Sequence, residues 1–162
     1  MKKKKKKMID KDPVYKFLCL KSNEYLPQKS TELDTGYDVK ACLDKSIVLD
    51  NKGVYFINLG IKAFCPEGWW LELRPRSSSF AKKNLDSLYG VIDEGYEGEL
   101  LYCCRYTGES PLIINDKDKI GQLIPVKRVN MVVKEVTKEE YEMLSSNRKN
   151  NRKEGGFGST GV

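Results

Sequence analysis

The chain has 162 residues, 40% hydrophobic and 32% charged, and this balance predicts one globular domain with a core of its own. It contains no histidine, which excludes Ser-His catalysis and histidine-ligated metal sites and leaves a carboxylate as the expected general base. The net charge of +6 comes from six consecutive lysines at 2–7, since removing them from the 29 basic residues leaves 23, against 23 acidic ones.

Residues 1–13 therefore form a basic tail that we expect to be disordered, because a run of like charges cannot pack. A role as a nuclear-localisation or polyanion-binding arm stays open, but we expect no specific nucleic-acid partner. No apolar run is long enough for a membrane span, so no membrane partner is expected. Five cysteines without metal-type spacing indicate reduced thiols and a cytoplasmic protein; nuclear location stays open for a eukaryotic or viral host.

Short apolar segments separated by turn residues predict an all-β barrel or sandwich over 14–147. The predicted strands are 14–20, 46–49, 54–64, 69–74, 100–106, 112–114, 120–126 and 129–136.

The sequence predicts one short helix after these strands. Thr137 and Glu140 have the spacing of a capping box, and Tyr141, Met143 and Leu144 can supply a buried side. We expect the helix to end near Ser146. Residues 148–162 are basic and rich in glycine, so they are predicted to be a flexible C-terminal arm.

The stretch 90–100, GVIDEGYEGEL, predicts a β-hairpin that carries an acid and an aromatic ring. Val91 and Ile92 are typical of a strand, Glu94-Gly95 is typical of a turn, and Tyr96 would begin the returning strand. Asp93 would then stand at the tip on rigid backbone. An ordinary surface hairpin is the alternative interpretation of this stretch alone.

Four other segments have residue types suited to a phosphorylated ligand. In PRSSS, Arg76, Ser77 and Ser78 can donate hydrogen bonds to phosphate oxygens; a polar turn is the alternative. In DTGYDVKAC, Asp38 can orient hydrated magnesium or support a cationic neighbour; a turn-capping aspartate is the alternative. In KIGQLIPV, Gln122 is one polar residue in a core strand and can contact a ligand.

The terminal GGFGSTG has glycines that allow backbone N–H groups to converge on phosphate, and its Ser159 and Thr160 add donors. It lacks the lysine of a P-loop, and a disordered tail is the alternative. Phe157 is a lone aromatic among these glycines, which favours stacking on a ligand.

The five segments, DTGYDVKA, PRSSS, GVIDEGYEGE, KIGQLIPV and RKEGGFGSTG, resemble in their order the five motifs of the trimeric dUTPase family. The resemblance runs from about Asp34 to Gly161. It implies a β-clip fold, a distorted jelly-roll barrel with one short helix and a mobile arm. It also implies hydrolysis of dUTP to dUMP and pyrophosphate, which limits uracil in DNA and supplies dUMP for thymidylate synthesis.

The resemblance assigns a role to each candidate residue. Asp93 would activate the water that attacks the α-phosphorus, helped by Asp38 and Gln122. Tyr96 would exclude a 2′-hydroxyl, and the backbone around Val91, Ile92 and Leu101 would recognise uracil. The residues that would hold the phosphates, with Phe157 stacked on uracil, are Arg76, Ser77, Ser78, Arg152, Gly158, Ser159 and Thr160.

The resemblance also implies the cofactor and the assembly. Mg²⁺ would bind mainly through the substrate phosphates and water, with Asp38 nearby and no direct protein ligand. The chain would form a homotrimer whose active sites are shared between subunits.

Two alternatives belong to related proteins. One is a non-catalytic or moonlighting regulatory protein with the dUTPase fold. The other is a dCTP deaminase, but Leu101, Tyr102, Cys103 and Cys104 offer no catalytic glutamate after the hairpin.

Overall fold

The computed structural model describes residues 12–50 and 53–148. This part of the chain is mostly β-strand with two short α-helices, which confirms the predicted all-β class. The predicted basic tail (apart from residues 12 and 13) and the C-terminal arm (apart from residue 148) lie outside the described residues. The chain divides into two compact units between Val129 and Asn130. None of the helices in the described part is long and apolar enough to cross a membrane.

The first unit contains all the strands found in the described residues. They are β1 (Lys16–Cys19), β2 (Tyr37–Lys40), β3 (Ile47–Leu49), β4 (Val54–Asn58), β5 (Ile61–Phe64), β6 (Trp69–Pro75), β7 (Leu85–Ser87), β8 (Gly90–Ile92), β9 (Leu101–Tyr106), β10 (Leu112–Ile114) and β11 (Lys119–Lys127). The first unit also holds the helix α1 (Ser77–Lys83), and the second unit holds α2 (Lys138–Ser146).

The strands form antiparallel sheets of four, three, two and two strands. The four-stranded sheet has the order β2-β11-β6-β8, and the three-stranded sheet has the order β4-β9-β7. β1 pairs with β5, and β10 pairs with β3. β11 is central because it pairs along one edge with β2 and along the other with β6.

The core lies between these sheets and is built from alternating residues of the strands. In β9, Tyr102, Cys104 and Tyr106 are buried, whereas Leu101 and Arg105 are exposed. This period of two is the pattern of a strand with one face in the core. The largest fully buried side chains are those of Tyr102, Leu49, Ile57, Leu59, Ile61, Leu85, Leu100, Ile114, Ile120 and Leu123.

The single strand predicted over 54–64 is wrong, because Gly60 divides it into β4 and β5. Gly60 has φ +65°, which L side chains rarely adopt. A Cβ atom built there would lie 2.5 Å from the Sγ atom of Cys42. The chain therefore turns at Leu59-Gly60 beneath a packed thiol, and the apolar residues on either side of the turn conceal the break in the sequence pattern.

Three elements, α1, β2 and β7, were not predicted from the sequence. In α1 the only buried residue is Ser79, so the helix lacks the apolar stripe by which amphipathic helices are recognised. Lys82 and Lys83 lie in its last turn, where cations are favourable, and the left-handed Asn84 ends it. Ser79 Oγ donates to the carbonyl of Ile120 at 2.8 Å, which fixes the helix to β11.

The second unit contains the predicted C-terminal helix. Thr137 Oγ1 accepts a hydrogen bond from the N–H of Glu140 at 3.2 Å, and α2 ends at Ser146, as predicted. Its apolar side chains Tyr141, Met143 and Leu144 are exposed, so the predicted buried side is absent from the described chain.

The strand predicted over 129–136 is also wrong. These residues belong to none of the described strands. Val129, Met131, Val132 and Val133 are each more than 80% exposed. The segment has a composition typical of a strand but finds no pairing partner in the described chain.

Candidate active site

Asp93 begins a tight turn that directly follows strand β8. Ile92, the residue before it, is buried and paired with β6. The N–H of Tyr96 donates to the carbonyl of Asp93 at 3.0 Å, which closes a four-residue turn with Glu94 and Gly95 at its centre. The predicted turn is therefore present, and it leaves Asp93 exposed on backbone that is held on both sides.

The predicted hairpin over 90–100 is wrong, because the strands on either side of the turn belong to different sheets. β8 pairs with β6, whereas β9 pairs with β4 and β7. Residues 97–100 form a loop, and Tyr96 begins no returning strand. The turn residues specify a local reversal, but the partner of each strand depends on pairings far apart in the chain.

A cavity of about 220 Å³ opens beside this turn. It is lined by Leu73, Gly90, Val91, Ile92, Tyr96, Leu100 and Leu101. This set includes Val91, Ile92, Tyr96 and Leu101, which were predicted to contact the base or the sugar. The cavity is smaller than the roughly 300–1,000 Å³ typical of pockets for drug-sized ligands.

Three of the lining residues were not predicted. Leu73 comes from β6, which is adjacent to β8 only through the sheet pairing. Gly90 could have been noticed from its residue type, because a glycine within a strand often marks a close approach of neighbouring atoms. A Cβ atom there would lie 3.4 Å from the Cβ of Leu73. Leu100 is buried and closes the cavity from the core side.

The ring of Tyr96 has a defined position at the rim of this cavity. Its hydroxyl donates to the carbonyl of Glu99 at 3.1 Å. The ring end lies directly over Gly98, where any Cβ atom would collide with it. Because Gly98 leaves this space, Tyr96 can fold back against its own loop and present its ring to the cavity.

Asp38 is the centre of a second polar cluster. Its carboxylate is only 11% exposed; Oδ1 lies 3.0 Å from Arg76 Nε, and Oδ2 lies 3.0 Å from Lys119 Nζ. Ser30 Oγ also donates to Oδ2, at 3.2 Å. Asp38 is thus a strand residue with two cationic partners, not a turn cap, which matches the predicted alternative that it supports a cationic neighbour.

Gln122 lies next to this cluster on β11. In the sheet register it is opposite Asp38 on one side and Arg74 on the other. Its Nε2 donates to the carbonyl of Pro75 at 3.0 Å, and its side chain occupies the space over Gly36, where a Cβ atom would collide with it. The amide is therefore held at the end of β6, where Arg76 leads into α1.

A groove of about 370 Å³ runs past this end of β6 and is separate from the apolar cavity. It is lined by Arg74, Pro75, Arg76, Ser77, Phe80, Tyr89 and Gln122. Arg76, Ser77 and Gln122 were predicted to contact a ligand; Ser78 follows them in α1 without lining the groove. Two cations and a helix start give the groove the chemistry of an anion-binding surface.

Arg74 and Tyr89 in this groove were not predicted as site residues. The guanidinium of Arg74 lies 5.6 Å from the ring centroid of Tyr89 and also pairs with Glu72 at 2.9 Å. Arg74 occupies an exposed position in the alternating pattern of β6, and this pattern could have pointed to it. Its stacking partner, Tyr89, comes from a different part of the chain.

Asp93 and Arg76 lie at opposite ends of β6. β8 pairs antiparallel with β6, with Leu73 opposite Gly90 and Leu71 opposite Ile92. Continuing this register by one residue places Asp93 level with Trp70, which is six residues from Arg76. At about 3.3 Å per strand residue, the separation between Asp93 and Arg76 along β6 is about 20 Å. One chain thus brings Asp38, Gln122 and Arg76 together but leaves Asp93 apart from them.

Metal ligands and thiols are two further kinds of reactive group to consider in the described residues. No three His, Cys, Asp or Glu side chains converge as a metal-ligand cluster within 12–50 and 53–148. Burial raises the pKa of the Cys104 thiol to about 12, and burial also raises the pKa values of Cys42 and Cys65. These thiols are protonated at neutral pH and are poor nucleophiles. The predicted arm residues Arg152, Phe157, Gly158, Ser159 and Thr160 lie outside the described residues.

Comparison with known sequences identifies relatives over nearly the whole chain. The sequence model of the dUTPase family matches residues 23–161. A deoxyuridine 5′-triphosphate nucleotidohydrolase of Leptospira interrogans is 33% identical over 146 residues, covering 88% of this chain and 94% of the relative. The protein of the same name from Chlamydia pneumoniae is 35% identical over 150 residues, covering 90% and 97%.

Solved structures share the fold. A variant of the dUTPase of Staphylococcus bacteriophage 80alpha, determined with dUpNHpp, matches with a TM-score of 0.71 at 21% identity, covering 92% of this chain and 99% of that one. A mutant dUTPase from phage phi11 of S. aureus, described with a structural Mg(II) ion, has a TM-score of 0.68 at 23% identity, covering 76% and 96%. The all-β architecture is therefore the jelly-roll-like fold of these proteins, as predicted.

Proposed function

This chain belongs to the dUTPase family, and we propose that Asp93 is the general base of its reaction. The chain hydrolyses dUTP to dUMP and pyrophosphate. The observation that carries the assignment of Asp93 is its place directly after Ile92, a residue that lines the apolar cavity, and its exposure to solvent. Without histidine, a carboxylate is the base that the chain can offer at neutral pH.

In the proposed step, Asp93 takes a proton from the attacking water as its oxygen bonds to the α-phosphorus. The bond between the α-phosphorus and the oxygen bridging to the β-phosphorus breaks, and pyrophosphate leaves with that electron pair. The proton resides on the Asp93 carboxylate until it passes to solvent. The backbone bonds on both sides of Asp93 support this role, since a base must be held at a fixed distance from the reacting atoms.

The apolar cavity would hold the uracil and the deoxyribose. The backbone of Val91, Ile92 and Leu101 would pair with the uracil edge, and the Tyr96 ring would fill the space that a 2′-hydroxyl needs. The position of that ring over Gly98, with its hydroxyl bonded to Glu99, supports the assignment because it leaves the ring little freedom to move aside. A site built for one order of donors and acceptors rejects cytosine strongly.

The groove at the other end of β6 would bind the triphosphate. Arg76, Ser77 and Gln122 line it and can donate to phosphate oxygens, with Ser78 next along the helix. Asp38 would act by holding Arg76, to which it is paired at 3.0 Å. Arg152, Gly158, Ser159 and Thr160 of the arm would add donors, and Phe157 would cover the base.

The donor set fits a magnesium ion bound mainly through substrate phosphates and water. Both carboxylate oxygens of Asp38 are already engaged by Arg76, Lys119 and Ser30, which favours a water-mediated contact over direct ligation. When bound, Mg²⁺ would neutralise charge on the triphosphate. The residues named above would orient the phosphates and the water.

We further propose that the active site is shared between copies of the chain in a homotrimer. The separation of about 20 Å along β6 between Asp93 and Arg76 supports this, because one dUTP cannot contact both through its α-phosphorus within one chain. The exposed apolar segment 129–136 also supports a second copy as its cover, since such segments usually mark interaction surfaces.

We also propose that the protein resides in the cytoplasm, or in the nucleus of a eukaryotic or virus-infected host. Five free cysteines support a reducing compartment.

The substrate assignment is tested by pyrophosphate release from dUTP, dCTP, dTTP and UTP at equal concentration with Mg²⁺. We expect dUTP to be preferred over each by roughly 100-fold or more in kcat/KM. Turnover of UTP comparable to that of dUTP would contradict the role given to Tyr96. A preference for dCTP would contradict the uracil pocket.

A further inference from the structure

Two glutamates tie the loop that carries Asp93 and Tyr96 to two neighbouring turns of the barrel. Glu94 lies directly after Asp93, and its Oε2 accepts a hydrogen bond from the N–H of Gly68 at 3.0 Å. Glu99 ends the same loop, and its Oε1 accepts from the N–H of Gly60 at 3.1 Å. Each carboxylate therefore crosses from the loop to backbone of another element.

Both recipient N–H groups belong to glycines with positive φ. Gly60 and Gly68 have φ +65° and +76°, so each marks a tight reversal at the edge of a strand. Gly68 precedes β6, and Gly60 separates β4 from β5. A loop bonded to these two N–H groups is fixed relative to the strands that form the cavity walls.

We call these two carboxylates the anchors of the loop. The first anchor, Glu94, has a second partner. Arg128 Nη1 lies 2.9 Å from Glu94 Oε2, and the N–H of Arg128 donates to the Gly68 carbonyl at 2.8 Å. Glu94, Gly68 and Arg128 thus form a closed group at the end of β6 and β11. The side chain of Glu94 is 29% exposed, so water screens this group only in part.

The second anchor lies beneath Tyr96. Glu99 accepts from Asn58 Nδ2 at 3.3 Å through its other oxygen, while its carbonyl accepts from the Tyr96 hydroxyl. Gly60 is buried, so its N–H has no equivalent partner in solvent if the Glu99 carboxylate is removed. The orientation of the Tyr96 ring therefore depends on Glu99 through a short chain of bonds.

We propose that Glu94 and Glu99 are positioning residues with separate tasks: Glu94 fixes Asp93 for catalysis, and Glu99 fixes Tyr96 for sugar discrimination. The inference rests on the proposed roles of Asp93 and Tyr96. It assigns function to two acids that touch neither base nor sugar in the cavity. A small displacement of a base relative to the reacting atoms reduces kcat more than it reduces binding.

The test compares Glu94→Ala, Glu94→Gln, Arg128→Ala and Glu99→Gln, with Glu97→Gln as a control that removes the same charge from the same exposed loop. Binding of a non-hydrolysable α,β-imido analogue of dUTP counts the competent sites, so that kcat is expressed per site and partial unfolding does not lower it. KM and the ratio of kcat/KM for dUTP to that for UTP do not depend on the folded fraction.

We expect Glu94→Ala to lower kcat per site roughly 10- to 100-fold, with KM within about twofold of the original. Glu94→Gln keeps an acceptor for the Gly68 N–H but loses the charge facing Arg128, so it should match Arg128→Ala and lie between Glu94→Ala and the control. Glu99→Gln should lower the dUTP-to-UTP ratio about tenfold with a smaller effect on kcat.

Wild-type kcat in Glu94→Ala, or an unchanged dUTP-to-UTP ratio in Glu99→Gln, would overturn the inference. Equal effects of both variants on kcat and on the ratio would overturn the separation of tasks. Asp93→Asn is measured alongside. Full turnover in Asp93→Asn refutes the base assignment itself, whereas an inactive Asp93→Asn with an unaffected Glu94→Ala refutes the anchor alone.

Discussion

Arg76 Nε lies 3.0 Å from Asp38 Oδ1, and this pair joins the residue before α1 to the middle of β2. Lys119 approaches the other carboxylate oxygen at the same distance. Asp38 is thus placed to orient a phosphate-binding arginine, and its own negative charge is compensated without a metal ion.

Replacing Asp38 by asparagine should raise KM for dUTP about tenfold with a smaller change in kcat, because Arg76 loses the group that orients it. The loss of hydrogen bonds to charged partners should also lower the free energy of unfolding by about 1–3 kcal/mol. Steady-state kinetics and urea denaturation measure the two effects.

Asp44→Asn is the matched control: Asp44 also pairs with a lysine, Lys21, at 2.7 Å, but its side chain is 92% exposed. If Asp44→Asn lowers the free energy of unfolding as much as Asp38→Asn does, burial of Asp38 does not explain its effect on stability.

Asp93→Asn should lower kcat by roughly 10²- to 10⁴-fold, since it removes the proton acceptor while preserving the shape of the side chain. Affinity for the α,β-imido dUTP analogue, measured by calorimetry, should stay within about threefold of the original. Asp86→Asn, on an exposed position of β7, removes the same charge away from the site and should leave kcat unchanged. Loss of analogue binding in Asp93→Asn would assign Asp93 to ground-state binding instead.

A shared active site predicts complementation between two inactive chains. Asp93→Asn and Arg76→Ala should each be nearly inactive alone. Co-expressed in equal amounts, they should regain about a quarter of wild-type activity, because a random assembly joins an intact Asp93 to an intact Arg76 at that fraction of sites. Activity of the purified mixed oligomer, normalised to protein mass, is the measurement. A mixture no more active than its parents would locate both residues in the site of one chain.

Asp116 should contribute to the acid sensitivity of the fold. The N–H of Leu43 lowers the pKa of its carboxyl most, and the Tyr25 hydroxyl, which donates to both oxygens at 2.8 and 2.9 Å, lowers that pKa further. A folded-state pKa below the unfolded value gives stability that is complete above the ordinary value of 3.8 and is lost as pH falls through the folded value.

The wild-type chain should therefore lose more stability between pH 5 and pH 3 than Asp116→Asn does. Thermal unfolding of the wild type and of Asp116→Asn at several pH values checks this. Parallel pH profiles of wild type and Asp116→Asn would show that Asp116 titrates with the same pKa in both states.

Local patterns in the sequence predicted most strands, the capping box of Thr137 and Glu140, and the turn at Glu94-Gly95. These features depend on residues a few positions apart, so the chain near them contains the whole signal. The helix α1 escaped prediction because Ser79 is its only buried residue. The strand predicted over 129–136 has the right composition but pairs with nothing in the described chain, since pairing needs a partner as well as propensity.

The sequence by itself determined the chemistry available to this protein: the absence of histidine, the acid at 93, the ring at 96, and the five motifs in order. Only the tertiary structure decided how they combine. It pairs β8 with β6 instead of β9, sets Asp93 and Arg76 at opposite ends of β6, and ties the loop to Gly60 and Gly68 through Glu99 and Glu94. The physical reason is distance along the chain. These contacts join residues 26 and 39 positions apart, and neither periodicity nor turn chemistry encodes which distant strand edge a segment meets.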